Sequence, residues 1–206
     1  MNPGCRGLTL VELLVALTIM GIVMTSIVNM FVSMSAGYTA QNGVADLQQS
    51  IRAVMGLMVQ EIRMAGFSSV SDDRFGITEA AQGAFGFTVD WDNDGLVTAS
   101  HSDDDLVLQE SDIIDYLWDR EQKRLLRRTA AGTASASTQA LLGGNEDLMD
   151  ITDLAFSYFD QAGNETGIAG DIRSVGVAVT AQTPAGRKGM VQRTYETRIT
   201  CRNLGS

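Results

Sequence analysis

The order of apolar and polar positions divides the chain after its first third. Between Leu13 and Ala45 there is no charged residue, and Leu13 to Phe31 is almost wholly apolar. At 1.5 Å per residue, about 20 helical residues cross the ~30 Å hydrocarbon core of a bilayer, so this run is long enough to span one. Beyond it, Leu47, Ile51, Val54, Met55, Met58, Ile62 and Ala65 recur at intervals of three and four. That spacing predicts one apolar stripe on an otherwise polar helix. The two prolines are Pro3 and Pro184, so no proline interrupts a helix from about residue 9 to residue 65. Gly37, Gly43 and Gly56 weaken it by about 1 kcal/mol each relative to alanine, and Gly66 suits a C-terminal cap.

From residue 67 the pattern changes to strand-like alternation between turn signals. Phe85–Asp90, Asp105–Gln109, Ile113–Trp118, Arg124–Arg128, Leu154–Phe159, Ile172–Thr180 and Gln192–Cys201 read as strands. Asp119 to Lys123, Asp160 to Asn164 and Thr183 to Gly189 read as the turns between them. Thr129 to Gly144, rich in Ala, Ser, Thr and Gly, reads as a mobile surface loop. The expected class is α+β, one long helix packed on an antiparallel sheet. Its methionines read as helix packing against that sheet.

Charge is as segregated as hydropathy. The 206 residues carry a net charge of −10 and a mean hydropathy of +0.04. Residues 1–71 hold three acids and three bases, and residues 121–206 hold nine acids and ten bases, so the acidic excess lies in residues 72–120. An acidic chain without a basic footprint argues against a nucleic-acid partner. Two cysteines, Cys5 and Cys201, allow no disulfide framework.

Three ordinary readings of the apolar helix fit poorly. A secretory signal has a shorter apolar stretch, and Glu12 stands near the start of this one. A lipoprotein signal places its apolar run before the cysteine, and Cys5 has none in front of it. A plain anchor leaves Glu12 unexplained, because a carboxylate at the start of a membrane span usually has a partner. The stretch Gly7-Leu-Thr-Leu-Val-Glu-Leu-Leu-Val-Ala-Leu17 instead resembles the class III prepilin signal of type IV pilins and type II secretion pseudopilins. Leu8 stands where that family usually has phenylalanine. The resemblance implies a type IV pilin-like fold and cleavage between Gly7 and Leu8 by a membrane prepilin peptidase, with N-methylation of Leu8. Glycine lets its backbone approach a protease closely, which agrees. Cleavage would free an α-amino group on Leu8, which Glu12 of a neighbouring subunit could pair with, setting register rather than net stability. It would also remove Cys5 and leave Cys201 as the remaining cysteine.

The expected organisation is a cleaved leader over 1–7, a transmembrane or filament-core helix over 8–36, its amphipathic continuation over 37–66 and a periplasmic β-rich head over 67–206. Arg6 before the span implies a cytoplasmic N-terminus in the bacterial inner membrane, with the head later carried into a pilus fibre. Gln60 to Phe67, Ile114 to Arg128, Leu154 to Asn164 and Arg202-Asn203-Leu204 also resemble the PilW group of minor pilins. They are less similar to the J-type pseudopilins of type II secretion. The first resemblance implies a structural subunit that helps start pilus assembly. Its partners would be prepilin peptidase, other minor and major pilins, and the inner-membrane assembly platform.

One motif in the acidic stretch points to a metal. Asp90-Trp-Asp-Asn-Asp-Gly95 matches the first half of a calcium loop, with carboxylates at Asp90, Asp92 and Asp94. The Leu96 carbonyl and the Thr98 hydroxyl would follow as Ca2+ ligands, but His101 stands where a full loop has its bidentate glutamate. A hairpin turn without metal and a calcium-binding adhesive module displayed on a pilus are the competing readings. The basic group Arg120, Lys123, Arg124, Arg127 and Arg128 reads as a hairpin turn and a solvated strand edge. Nothing in the sequence supports catalysis. The single histidine, His101, has no nucleophile at a motif spacing, and Cys201 lies in an ordinary strand.

Overall fold

A computed structural model describes residues 9–69, 75–91, 95, 112–130, 136–144, 149–185 and 189–204. Its first element is helix α1, Leu10–Met64, whose 55 residues extend for about 80 Å. Thr9 caps it through a capping box: its hydroxyl accepts from the Glu12 N–H at 3.3 Å, and its own N–H donates to Glu12 Oε2 at 2.9 Å. The helix stops at Ala65 because Gly66 follows at φ +76°, a conformation costly for any residue with a Cβ. A Cβ on Gly66 would also stand 2.5 Å from Leu204 Cδ2.

Two antiparallel meanders follow. The first sheet has the order β1 (Ile77–Ala81), β2 (Ala84–Thr88), β3 (Ile113–Asp119), β4 (Arg124–Thr129), β5 (Ser137–Gly143). The second has β6 (Asp150–Phe159), β7 (Ser174–Pro184), β8 (Met190–Thr200). The expected single sheet is thus corrected to two, and β1 was not expected at all. The expected loop over Thr129–Gly144 is corrected as well, since seven of its residues form β5 against β4. Ladder hydrogen bonds offered by β4 outweigh the weak strand propensity of Ser-Thr-Gln-Ala-Leu-Leu-Gly. The expected strand Asp105–Gln109 lies outside the described residues.

The helix packs chiefly on β7 and β8. Its buried side chains Leu47, Ile51, Met55, Met58 and Ile62, with Ala65, are members of the expected stripe. Burying a Leu, Ile or Met fully is worth about 1.5–3 kcal/mol, so the second half of α1 is held firmly. Phe85 sits at the centre of the head, 5.4 Å from the Phe87 ring, 5.7 Å from Phe156 and 5.8 Å from Tyr158. Neighbouring Gly86 must lack a side chain, because a Cβ there would lie 2.4 Å from Asp115 Oδ1.

Candidate functional site

The first half of α1 is a continuous exposed apolar surface. Leu10 to Ser35 is exposed throughout, including Leu13, Leu17, Ile22, Ile27 and Phe31. No water-soluble head leaves so continuous an apolar surface bare, so it belongs in lipid or against other helices. Three of its polar residues turn back on the backbone: Thr18, Thr25 and Ser26 donate their hydroxyls to carbonyls three or four residues back, at 2.7–2.9 Å. Glu12 is exposed in the first turn, with Oε2 accepting both the N–H and the hydroxyl of Thr9 at 2.9 Å. The capping box therefore satisfies one oxygen of the carboxylate and leaves the other with capacity to accept. Gly7 and Leu8 lie outside the described residues.

The second half of the helix orients the head through a buried polar cluster. Glu61 falls on the same face as Met58, Ile62 and Ala65, so its carboxylate is carried into the core. There Arg127 grips it: Nη2 donates to Oε1 at 2.8 Å, and Nε to Oε2 at 3.0 Å. The hydroxyl of Tyr116 donates to the same Oε2. Tyr116 and Arg127 are direct partners across β3 and β4, so the cluster joins the helix to the first sheet at one register. Burial, then the Glu61 charge, raise the Tyr116 hydroxyl far above its ordinary value, so it stays a donor.

That arrangement overturns the reading of the basic group as a solvated edge. Strand β4 lies between β3 and β5, and each cation has a partner in the head. Arg128 Nη2 meets Asp115 Oδ2 at 2.8 Å, and Arg124 Nε meets Asp119 Oδ2 at 2.9 Å. Lys123 Nζ meets Asp150 Oδ2 at 2.9 Å, and the Arg120 guanidinium lies 4.8 Å from the Trp118 ring centroid. Glu61 escaped the sequence reading, although a carboxylate inside an apolar stripe is itself a signal that a buried cation awaits it.

Asp90, the first expected calcium ligand, is buried. Its Oδ2 accepts from the Ser69 N–H at 2.8 Å and the Ser69 hydroxyl at 2.6 Å. With the Asp90 N–H donating to Phe67 O at 2.9 Å, this ties the chain leaving α1 to the end of β2. Asp92, Asp94, Leu96, Thr98 and His101 lie outside the described residues. Among the described residues no cluster of three His, Cys, Asp or Glu side chains is placed to hold a metal. Cys201 is a buried free thiol, pushed by burial up to about 12.

One long helix with a bare apolar half, carrying an antiparallel β head, is the type IV pilin-like fold. A type IV-like pilin from Thermus thermophilus shares it with a TM-score of 0.54 and 11% sequence identity, covering 78% of this chain and 100% of that one. No curated protein matches the chain in sequence. Residues 2–28 match the prokaryotic N-terminal methylation motif, and residues 41–201, more than half the chain, match prepilin peptidase-dependent protein B. The chain belongs to the prepilin peptidase-dependent protein B family, a pilin-like group of structural proteins.

Proposed function

We propose that this protein is a minor pilin of PilW-like type, a structural subunit that helps start pilus assembly. The observation that carries the reading is the division of labour along α1: apolar and exposed from Leu10 to Ser35, buried against the head from Leu47. The chain is inserted with its N-terminus cytoplasmic and its head periplasmic. Prepilin peptidase cleaves between Gly7 and Leu8, and the new Leu8 amine becomes the methylation site. Glu12, with one oxygen occupied by Thr9, pairs through the other with the amine of a neighbouring pilin in the low-dielectric core of the fibre. Segments 8–36 and 37–66 then act as filament stem and head support.

Two experiments test this. Gly7→Asp should block processing, and an unchanged mature mass in that variant removes the leader assignment. Deletion of the gene should abolish surface fibres. Accumulation of periplasmic exoprotein with fibres intact would instead make the protein a J-type pseudopilin, and normal fibres with lost attachment would make it an adhesive module.

A further inference from the structure

In contrast to the paired cations of β4, Arg173, Arg198 and Arg202 form no salt bridge among the described residues. All three line one cleft of about 550 Å³. Strand pairing brings them together. Arg173 precedes β7, and its carbonyl accepts from the Cys201 N–H at 3.0 Å, which sets Arg202 beside it. Arg198 stands near the end of β8, opposite Gly176. The cleft lies at the end of the head away from the bare half of α1, where Asn203 Nδ2 donates to Met64 O at 3.4 Å.

Two of the three guanidiniums are held in place by the head itself. That of Arg198 lies 3.8 Å from the Phe159 ring centroid, and its Nε donates to Ser174 Oγ at 2.9 Å. Gly176 leaves room for that ring, since a Cβ there would stand 3.3 Å from Phe159 Cε2. Arg173 Nη1 donates to Gly170 O at 2.7 Å and to Ile172 O at 2.9 Å. Each keeps N–H groups on the rest of its planar fork, the geometry that binds a carboxylate by paired hydrogen bonds. Arg202 is exposed at the rim. The acids close by do not neutralise them. Asp160, in the same cleft, holds its own turn, accepting from the Asn164 N–H at 2.8 Å and from Asn164 Nδ2 at 3.3 Å. Glu196, on the same face of β8 as Arg198, makes no salt bridge among the described residues.

This chemistry selects an acidic peptide. The cleft is far larger than one small anion needs, and its cations come from separate strand positions, so they suit carboxylates set at intervals. Asp160 and the Gln161 amide keep acceptor capacity, which fits peptide N–H groups and repels a concentrated phosphate charge. With a net charge of −10 the chain as a whole repels a polyanion, so binding of one requires a local site. We propose that this cleft docks an acidic peptide segment of another protein, with carboxylates on Arg173, Arg198 and Arg202 and peptide N–H groups on Asp160 and Gln161. The site belongs to the head and does not depend on the membrane-spanning or pilus reading.

The test uses the full chain in a zwitterionic detergent and a fluorescein-labelled oligo-aspartate peptide, followed by anisotropy. Oligo-aspartate should bind, more weakly as salt is added, and oligo-asparagine should not. Arg173→Gln and Arg198→Gln should each weaken binding about fivefold, the equivalent of about 1 kcal/mol for a partly exposed charge pair. Arg198→Lys keeps the charge without the fork and should also bind less tightly than the native chain. Arg52→Gln, an exposed cation on α1 outside the cleft, should change nothing. Tryptophan fluorescence checks that each variant is folded. If Arg198→Gln is not, Arg202→Gln replaces it, because that side chain is exposed and makes no bond within the described head. No binding of oligo-aspartate, or a loss in Arg52→Gln equal to that in the cleft variants, overturns the site. Displacement of the peptide by tripolyphosphate at lower concentration than by unlabelled oligo-aspartate makes it a phosphate site and overturns the peptide.

Discussion

The Glu61–Arg127 pair offers the sharpest test of how the helix is joined to the head. The side chains are 7% and 13% exposed, so the magnitudes appropriate to a buried pair apply rather than those of a surface one. Arg127→Met leaves a carboxylate in the core with the Tyr116 hydroxyl as its remaining partner from the cluster. Removing one member of such a pair costs about 3–5 kcal/mol. For a head of this size that is roughly a 10 °C fall in Tm. The triple variant Glu61→Leu, Tyr116→Phe, Arg127→Met removes every charge and hydroxyl of the cluster together. It should recover most of the loss, since the carboxylate, guanidinium and hydroxyl that satisfy one another leave the core together. The assay is thermal unfolding of the detergent-solubilised full chain, followed by tryptophan fluorescence, at low and high salt. A buried pair predicts a deficit that salt scarcely alters. A fall in Tm below about 2 °C for Arg127→Met, or a triple variant less stable than the single one, would refute the reasoning.

Four further outcomes follow from the same geometry. Gly66→Ala should destabilise the head by about 2 kcal/mol, from the left-handed backbone and the Leu204 contact together, and adding Leu204→Ala should relieve only the contact in urea titrations. The Lys123 hydrogen bond, chiefly, holds the Asp150 carboxyl below the usual carboxylate range. Its folded value lies below its unfolded one, so its contribution is complete above about pH 5, starts to fall near the unfolded value of about 4, and is lost as pH drops through the lower folded value. Asp150→Asn should therefore flatten the acid limb of the urea midpoint, by less than about 1 kcal/mol because Lys123 is half exposed. Asp90→Ala should lower Tm by the same amount in calcium and in chelator, because its carboxylate is bound to Ser69; a loss confined to calcium would place Asp90 on a metal instead. In the processed chain Cys201 should resist thiol reagents until urea unfolds the head, and fast labelling of native protein would contradict its burial.

What could be read from the sequence was whatever depends on neighbours in the chain. The helix, expected from residue 9 to 65, spans Leu10–Met64, and its stripe from Leu47 to Ala65 faces the head as the spacing demanded. Strands with β-branched or aromatic alternation were also legible within a few residues, such as Ile113–Asp119 and Met190–Thr200. What escaped depends on distant partners. Strand β5 has little propensity of its own and forms because β4 supplies its ladder. Arg127 looks like one cation among five until Glu61, 66 residues earlier, is brought beside it. Asp90 was read for its metal-ligand spacing alone, and the Ser69 groups that its Oδ2 accepts from lie 21 residues away in sequence. Spacing records which groups share a loop or a face, but it does not record which groups meet across the fold.

The position of Glu61 near the end of the docked helix also has a mechanical consequence. A pull on the bare half along its axis loads Leu47 to Ala65 side by side, as shear, rather than peeling contacts away one at a time. Apolar stripes alone resist such sliding weakly, because a displacement of one turn, about 5.4 Å, brings similar side chains back into similar grooves. Glu61 removes that equivalence: one turn of slip carries it out of reach of Arg127 and Tyr116 and leaves three polar groups buried without one another. The cluster acts as a detent, and tension on the tail is delivered to the first sheet instead of being lost in slippage.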